Sequence, residues 1–352
     1  GTMVSVFLFK DQIINRFVNE ANKHLNTPVK IGKIDVSVFD DFPNLAIVFT
    51  DVYVEDSHPG IYPLLTAERL AFTLNPVQLW NGNYSVRGLS VTGSETNLRI
   101  NKAGKANYII LKDTPGEGTG AVQFDLRNVR LSNTIVSYLD QQADQHHVFN
   151  SEKLTASINV TGDLYAITAK GDVITEQIGV GRVLFLTNKT FAVDAHINYD
   201  DDKKTVDFNS SSLKVGRSLF EINGNYGFKD KNLIDLKAEG KDTDIQTLLS
   251  LFPDETSKKL KQYRSDGDVF FNLNLKGEIS DRKSPLISVS FGCKDATVYH
   301  PDYQSHISKA NLNGSFASPS LTDFTNAKLF LSNMEGELNG KTFTGNLSIS
   351  EF

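Results

Sequence analysis

Beyond residue 190, apolar and polar side chains alternate almost one for one. Phe191, Val193, Ala195 and Ile197 alternate with Ala192, Asp194, His196 and Asn198. Val206 and Phe208 alternate with Asp207 and Asn209, and Phe220, Ile222, Ile234, Leu236 and Ala238 continue the pattern. Val269, Phe271, Leu273 and Leu275 are set against Phe270, Asn272, Asn274 and Lys276. Phe343, Gly345, Leu347 and Ile349 are set against Thr342, Thr344, Asn346 and Ser348. A period of two sends successive side chains to opposite faces, the signature of antiparallel sheet with one solvated side. The predicted apolar face is carried by Phe191, Val193, Ile197, Phe208, Phe220, Ile222, Leu236, Val269, Phe271, Leu273, Leu275, Phe343 and Leu347. Such a face is either a core or a surface that binds acyl chains, and alternation alone does not separate the two.

The chain opens differently. Ile14, Phe17, Val18, Ala21 and Leu25 fall on one helical face, opposite Asp11, Arg16, Glu20 and Lys23, and Pro28 ends the helix. The mixed charge of the polar side favours packing on protein over lying on a membrane. Strands are predicted over 29–38, 45–54, 67–74, 84–91 and 95–100, with a turn at 101–104 and a short helix opened by Asn75-Pro76. Residues 114–120 (TPGEGTG) read as a linker. The expected organisation is a helix-plus-β module over 4–112, a linker over 113–120 and a repeated-strand region over 121–352. A helical insert is expected near 243–263, capped by Asp242 to Asp244, striped by Ile245, Leu248, Leu249 and Phe252, and stopped by Pro253. Turns are predicted at 200–204, at Asn313-Gly314 and at Asn339-Gly340. Glycines recur near strand ends, at 224, 240, 277, 314 and 345. The predicted class is mainly β: an elongated, curled antiparallel sheet, groove-like or closed as a sandwich, with an N-terminal amphipathic helix and a few short helices.

Composition narrows the function. With 39% hydrophobic and 22% charged residues in 352, the chain has a core to build. A net charge of -6 argues against a nucleic-acid partner. Cys293 is the sole cysteine, so no intramolecular disulfide forms. No apolar run of about 18 residues is present to span a bilayer. Gly1-Thr2-Met3 reads as a cleavage or cloning scar, and the stub 4–9 as the tail of a removed signal or anchor or the start of the first helix.

Catalytic constellations are not found. Residues 336–342 (GELNGKT) place three residues between the glycines where a phosphate-binding loop has four, so Asn339-Gly340 reads as a hairpin turn. His146-His147 read as an exposed polar loop, since adjacent strand positions face apart. Asp200-Asp201-Asp202 run into Lys203-Lys204, which suits a turn better than a calcium loop. Cys293 alternates with Ile287, Val289 and Phe291 as a small core residue. No enzyme activity, cofactor or metal is expected.

One ordered series of segments carries a resemblance. Residues 28–39 (PVKIGKIDVSVF), 42–45 (FPNL), 48–56 (VFTDVYVED), 64–70 (LLTAERL), 79–82 (LWNG), 86–91 (VRGLSV), 97–98 (NL) and 104–108 (GKANY) follow the amphipathic helix. This order resembles the N-terminal region of the AsmA family over the first third of the chain, and the insert 242–253 (DTDIQTLLSLFP) is similar in style. The resemblance implies a periplasmic envelope protein of Gram-negative bacteria, anchored to a membrane by an N-terminal helix. It implies strands curled into an apolar groove, a role in outer-membrane biogenesis and intermembrane lipid transport, and no catalytic residues. The partners implied are phospholipid or another acyl lipid, a membrane, and envelope proteins. The alternative is a structural or assembly factor that binds envelope proteins through its sheet edges.

Overall fold

The computed structural model describes residues 11, 14–15, 19, 25–37, 44–75, 77–78, 84–110, 122–251, 253–262, 265–280, 282–302 and 304–350. The predicted first helix and the 114–120 linker lie largely or wholly outside them. The chain is mainly β, with 18 strands and few short helices among the described residues. Nearly all of the described strand pairs are antiparallel. It divides into two compact units, residues 1–142 with 148–162 and 166–173, and the remainder.

The first unit is built on β1 (Val29–Ser37), β2 (Leu45–Glu55), β3 (Pro63–Leu74), β4 (Tyr84–Ile100) and β5 (Val122–Asp140). β1 to β4 form an antiparallel meander. The two strands predicted at 84–91 and 95–100 are one strand. Gly93 stands between them at φ 59°, a left-handed kink that glycine takes without steric cost, so the chain continues. β5 then adds parallel to β4, in register from Tyr84↔Val122 to Ile100↔Asp140, which alternation does not forecast. The LAIVF run that starts β2 is buried on both sides. Leu45, Ile47 and Phe49 join a core with Val36, Leu70, Leu74 and Val86, while Ala46 and Val48 meet Ala71 behind it.

A buried polar knot ties the end of β2 to the turn after β4. The Asp56 carboxylate, wholly buried, accepts from the Arg99 guanidinium and from Asn107 Nδ2 at 3.0 Å. Asn107, 0% exposed, also donates to the Asn97 carbonyl at 2.8 Å and accepts the Arg99 amide at 2.7 Å. The Tyr62 ring covers the guanidinium at 4.5 Å. Burial alone pushes the Asp56 carboxyl up. The hydrogen bonds from Asn107 and Arg99 and the arginine charge outweigh it and hold it below the usual carboxylate range.

β6 (Gln145–Thr161) and β7 (Leu164–Val180) come next along the chain, and the second unit then runs from β8 (Val183–Phe185) through β9 (Lys189–Asp200), β10 (Thr205–Val215), β11 (Ser218–Gly227) and β12 (Leu233–Asp244). Helices α1 (Ile245–Leu249) and α2 (Asp254–Leu260) follow, then β13 (Ser265–Asp266), β14 (Asp268–Glu278), β15 (Leu286–His300), β16 (Ser305–Ser318), β17 (Lys328–Leu338) and β18 (Lys341–Ser350). From β9 to β18 each long strand pairs antiparallel with the next. Asn339 and Gly340 take φ 52° and 77°, the two left-handed residues of a tight hairpin turn, as predicted. Asn313-Gly314 is not a turn. It sits inside β16, where the missing side chain leaves room for the Phe291 ring.

Bulges interrupt these strands in a recurring way. Ser210, Asp295 and Asn333 each take φ near 50° inside a strand. The amide of each donates to an asparagine side chain on the following strand: Ser210 to Asn223 at 2.7 Å, Asp295 to Asn311 at 3.0 Å, and Asn333 to Asn346 at 3.1 Å. The asparagine replaces the ladder bond that the extra residue removes, while the bulge bends its strand.

Candidate functional site: an apolar sheet face

The register of the second unit brings all thirteen predicted face residues to one side of the sheet. Directly paired residues share a face, so rows can be followed from strand to strand. One row runs Ile197, Phe208, Gly224, Leu236, Leu275 and Ile287. The next runs Ser211, Ile222, Ala238, Leu273, Val289, Phe316, Leu329 and Ile349. A third runs Val193, Leu213, Phe220, Gly240, Phe271, Phe291, Gly314, Leu331 and Leu347. Val269 pairs with Cys293 beyond it, and Phe343 shares the face of β18 with Leu347. No charged residue interrupts these three rows.

The opposite side is mostly polar, although Phe270, Leu286 and Phe330 stand 48–51% exposed on it. Asn198, Asp207, Asn225, Asp235 and Lys276 form one row there, and Lys276 Nζ pairs with Asp235 at 2.6 Å.

Burial along the apolar face is uneven. Phe191, Val215 and Phe220 are 5–7% exposed and form a cluster with Val193, Leu213, Phe271, Leu248 and Leu251. The last two come from α1 and the residues just after it, so the insert covers this end of the face. Val269 is also buried, whereas Ile197, Phe208, Ile222, Leu236, Leu273 and Leu275 are half-buried and Leu347 is 43% exposed. A sandwich core would bury these positions completely.

The glycines near strand ends acquire a role here. A β-carbon on Gly240 would lie 3.2 Å from Phe271 Cβ and 3.4 Å from the Phe220 ring, and one on Gly336 would lie 2.9 Å from Ile307 and from the Phe343 ring. Glycine lets the larger neighbouring side chain spread across the strand.

The insert is held at both ends. Asp244 caps α1, accepting from the Thr247 amide at 2.8 Å, the Thr247 hydroxyl at 2.6 Å and the Ser218 hydroxyl at 3.1 Å. Burial pushes its carboxyl up, but Thr247, Ser218 and Arg217 bring it below the ordinary value. At the start of α2, Asp254 accepts from the Thr187 hydroxyl, and Phe185 bridges Pro253. The expected insert near 243–263 thus holds two short helices, the second beginning directly after Pro253. Pro253 suits the position before a first turn, with Asp254 and Glu255 inside that turn.

The remaining polar candidates resolve as follows. His146 and His147 lie in strand β6 (Gln145–Thr161), not in a loop. His146 meets Gln177 at 2.7 Å and His147 meets Gln145 at 3.2 Å. Asp200 pairs with Lys203 at 2.7 Å and Asp201 with Lys204 at 2.6 Å, which closes the β9–β10 turn. No group of metal-binding side chains stands among the described residues. Cys293 is half-buried on the apolar face, where burial pushes its thiol up and leaves it a poor nucleophile. Among the described residues no helix is long and apolar enough to cross a membrane. Comparison with protein-family models, curated proteins and solved structures gives no match.

Proposed function

We propose that this chain is a non-enzymatic envelope protein of the periplasm whose apolar sheet face carries acyl lipid, resembling AsmA-family factors in outer-membrane biogenesis and intermembrane lipid transport. The observation that supports this reading is the set of three uncharged rows across β9 to β18, half-exposed outside the insert. Apolar surface on this scale is costly to leave in water. At about 25 cal/mol per Å² an acyl chain gains several kcal/mol by covering it, without any specific contact. The whole protein would be membrane-anchored.

Native mass spectrometry of gently purified protein is the test. Co-purified phospholipid is expected, and chain free of lipid at every protein-to-lipid ratio tried would overturn the reading.

A second reading has one observation in its favour. β18 pairs with β17, no partner on its other side is seen among the described residues, and nine of its ten residues are exposed. Such an edge suits strand addition by an envelope protein. Partner capture that survives complete delipidation would favour it.

A further inference from the structure

The two ends of the apolar face differ in chemistry, and that difference orients a bound lipid. At one end stands the insert, with Leu248 and Leu251 packed on Phe191, Val215 and Phe220. It is pinned by the Asp244 cap on one side and by Asp254 on the other. The side chains it packs onto the face are Leu248 and Leu251, while the charge at this end is gathered on Arg217 with Asp244, Asp266 and Asp268.

At the other end, beyond Phe208 and Leu236, the strands finish in an aromatic and charged rim. Tyr199 stacks on Phe228 with centroids 6.1 Å apart, Tyr226 on Phe228 at 6.0 Å, and Tyr165 leans on Tyr199 at 5.6 Å. The turns beside them carry Asp200, Asp201, Asp202 and Asp230 against Lys203, Lys204, Lys229 and Lys231, so the rim is charge-balanced. Tyrosine with paired charges at an apolar boundary is the chemistry that meets lipid headgroups at a membrane interface.

The depth fits. From Phe208 to Val215 strand β10 spans about 20 Å. One leaflet of a bilayer core is about 15 Å thick.

We infer that a bound phospholipid lies along the strands with its headgroup at the Tyr199–Tyr226–Phe228 rim and its acyl ends stopped by the insert at Leu248 and Leu251. This rests on the lipid-carrying reading above and adds a direction and a stop to it. The balanced rim suits a zwitterionic headgroup.

The experiment uses the unmodified full chain with two photoactivatable phosphatidylcholines, followed by peptide mapping. One has a diazirine near the acyl terminus and the other has it near the ester. The terminal label is expected on peptides covering 245–251, and the ester-proximal label on peptides covering 199–204 and 226–232. Attachment to β9–β17 with the two labels reversed or evenly spread would overturn the orientation while leaving lipid carriage standing. No attachment of either label would overturn both.

Discussion

Gly314 on β16 stands directly across from Phe291 on β15, and a β-carbon at Gly314 would overlap the phenyl ring. The ring therefore lies over the neighbouring backbone. Gly314→Ala should destabilise by about 1–3 kcal/mol through overpacking. Gly345, with nothing within 4 Å of its would-be β-carbon, supplies the control. Gly345→Ala should be neutral or slightly stabilising. Urea unfolding of the two variants checks the contrast, and equal effects would count against it.

Among the described residues Arg99 is the cation paired with the buried Asp56 carboxylate, and no other stands on it. Arg99→Met leaves Asp56 buried with Asn107 and the His58 amide alone and should cost about 3 kcal/mol. Replacing both residues by apolar ones should recover part of that loss. Because the Asp56 carboxyl is held below its unfolded value, its contribution is present above the ordinary carboxylate range and lost as pH falls through the lowered value. Arg99→Met should flatten the acid limb of a stability–pH curve, and an unchanged limb would exclude the knot as its source.

Tyr199 titrates in the opposite sense. Burial and the hydrogen bond to Asp201 push its hydroxyl from an ordinary 10.0 up to about 12. The folded chain keeps this proton while the unfolded chain loses it. The stabilisation is thus complete below the ordinary value and lost as pH rises towards 12. Phenolate absorbance should show a late-titrating component that Tyr199→Phe removes, with Tyr53, also raised by burial, left in place.

Leu273 lies in the middle row of the apolar face and is only half-buried. Leu273→Lys should change stability by about 1 kcal/mol, with an unaltered far-ultraviolet spectrum. Recovery of phospholipid should drop severalfold, since a charge then sits where acyl chains would lie. Full recovery of lipid from this variant would argue that the chains lie elsewhere.

The Asn223 side chain holds the amide of the bulged Ser210. Asn223→Ala should cost about 1 kcal/mol, and Asn223→Asp, which keeps an acceptor, should cost less. Amide exchange at Ser210 should quicken in the first variant and stay slow in the second.

Alternation was enough to place the apolar face, because a strand's period of two is local and each long strand from β9 to β18 pairs with the next long strand. The helix after Asp244 was legible for the same reason, since its cap, stripe and stop are contiguous. The parallel joining of β5 to β4 was not, because it depends on pairing across residues 101–121 rather than on either strand's own pattern. Asn313-Gly314 misled for a related reason. The dipeptide is a turn signal in isolation, but the demand for space comes from Phe291 on another strand. The knot of Asp56, Arg99 and Asn107 was invisible as a unit because Asp56 lies 43 and 51 positions from its two partners. The bulges escaped because one inserted residue leaves no mark on composition.

The neighbour-to-neighbour pairing of the long strands from β9 to β18 makes the size of the apolar surface an independent variable. A hairpin inserted between two others would add about 10 Å of width and leave the rows on either side in place. Depth along the strands, by contrast, is fixed by the insert and the aromatic rim. A lineage with this architecture can lengthen or shorten its surface by whole hairpins while the dimension along the strands stays constant.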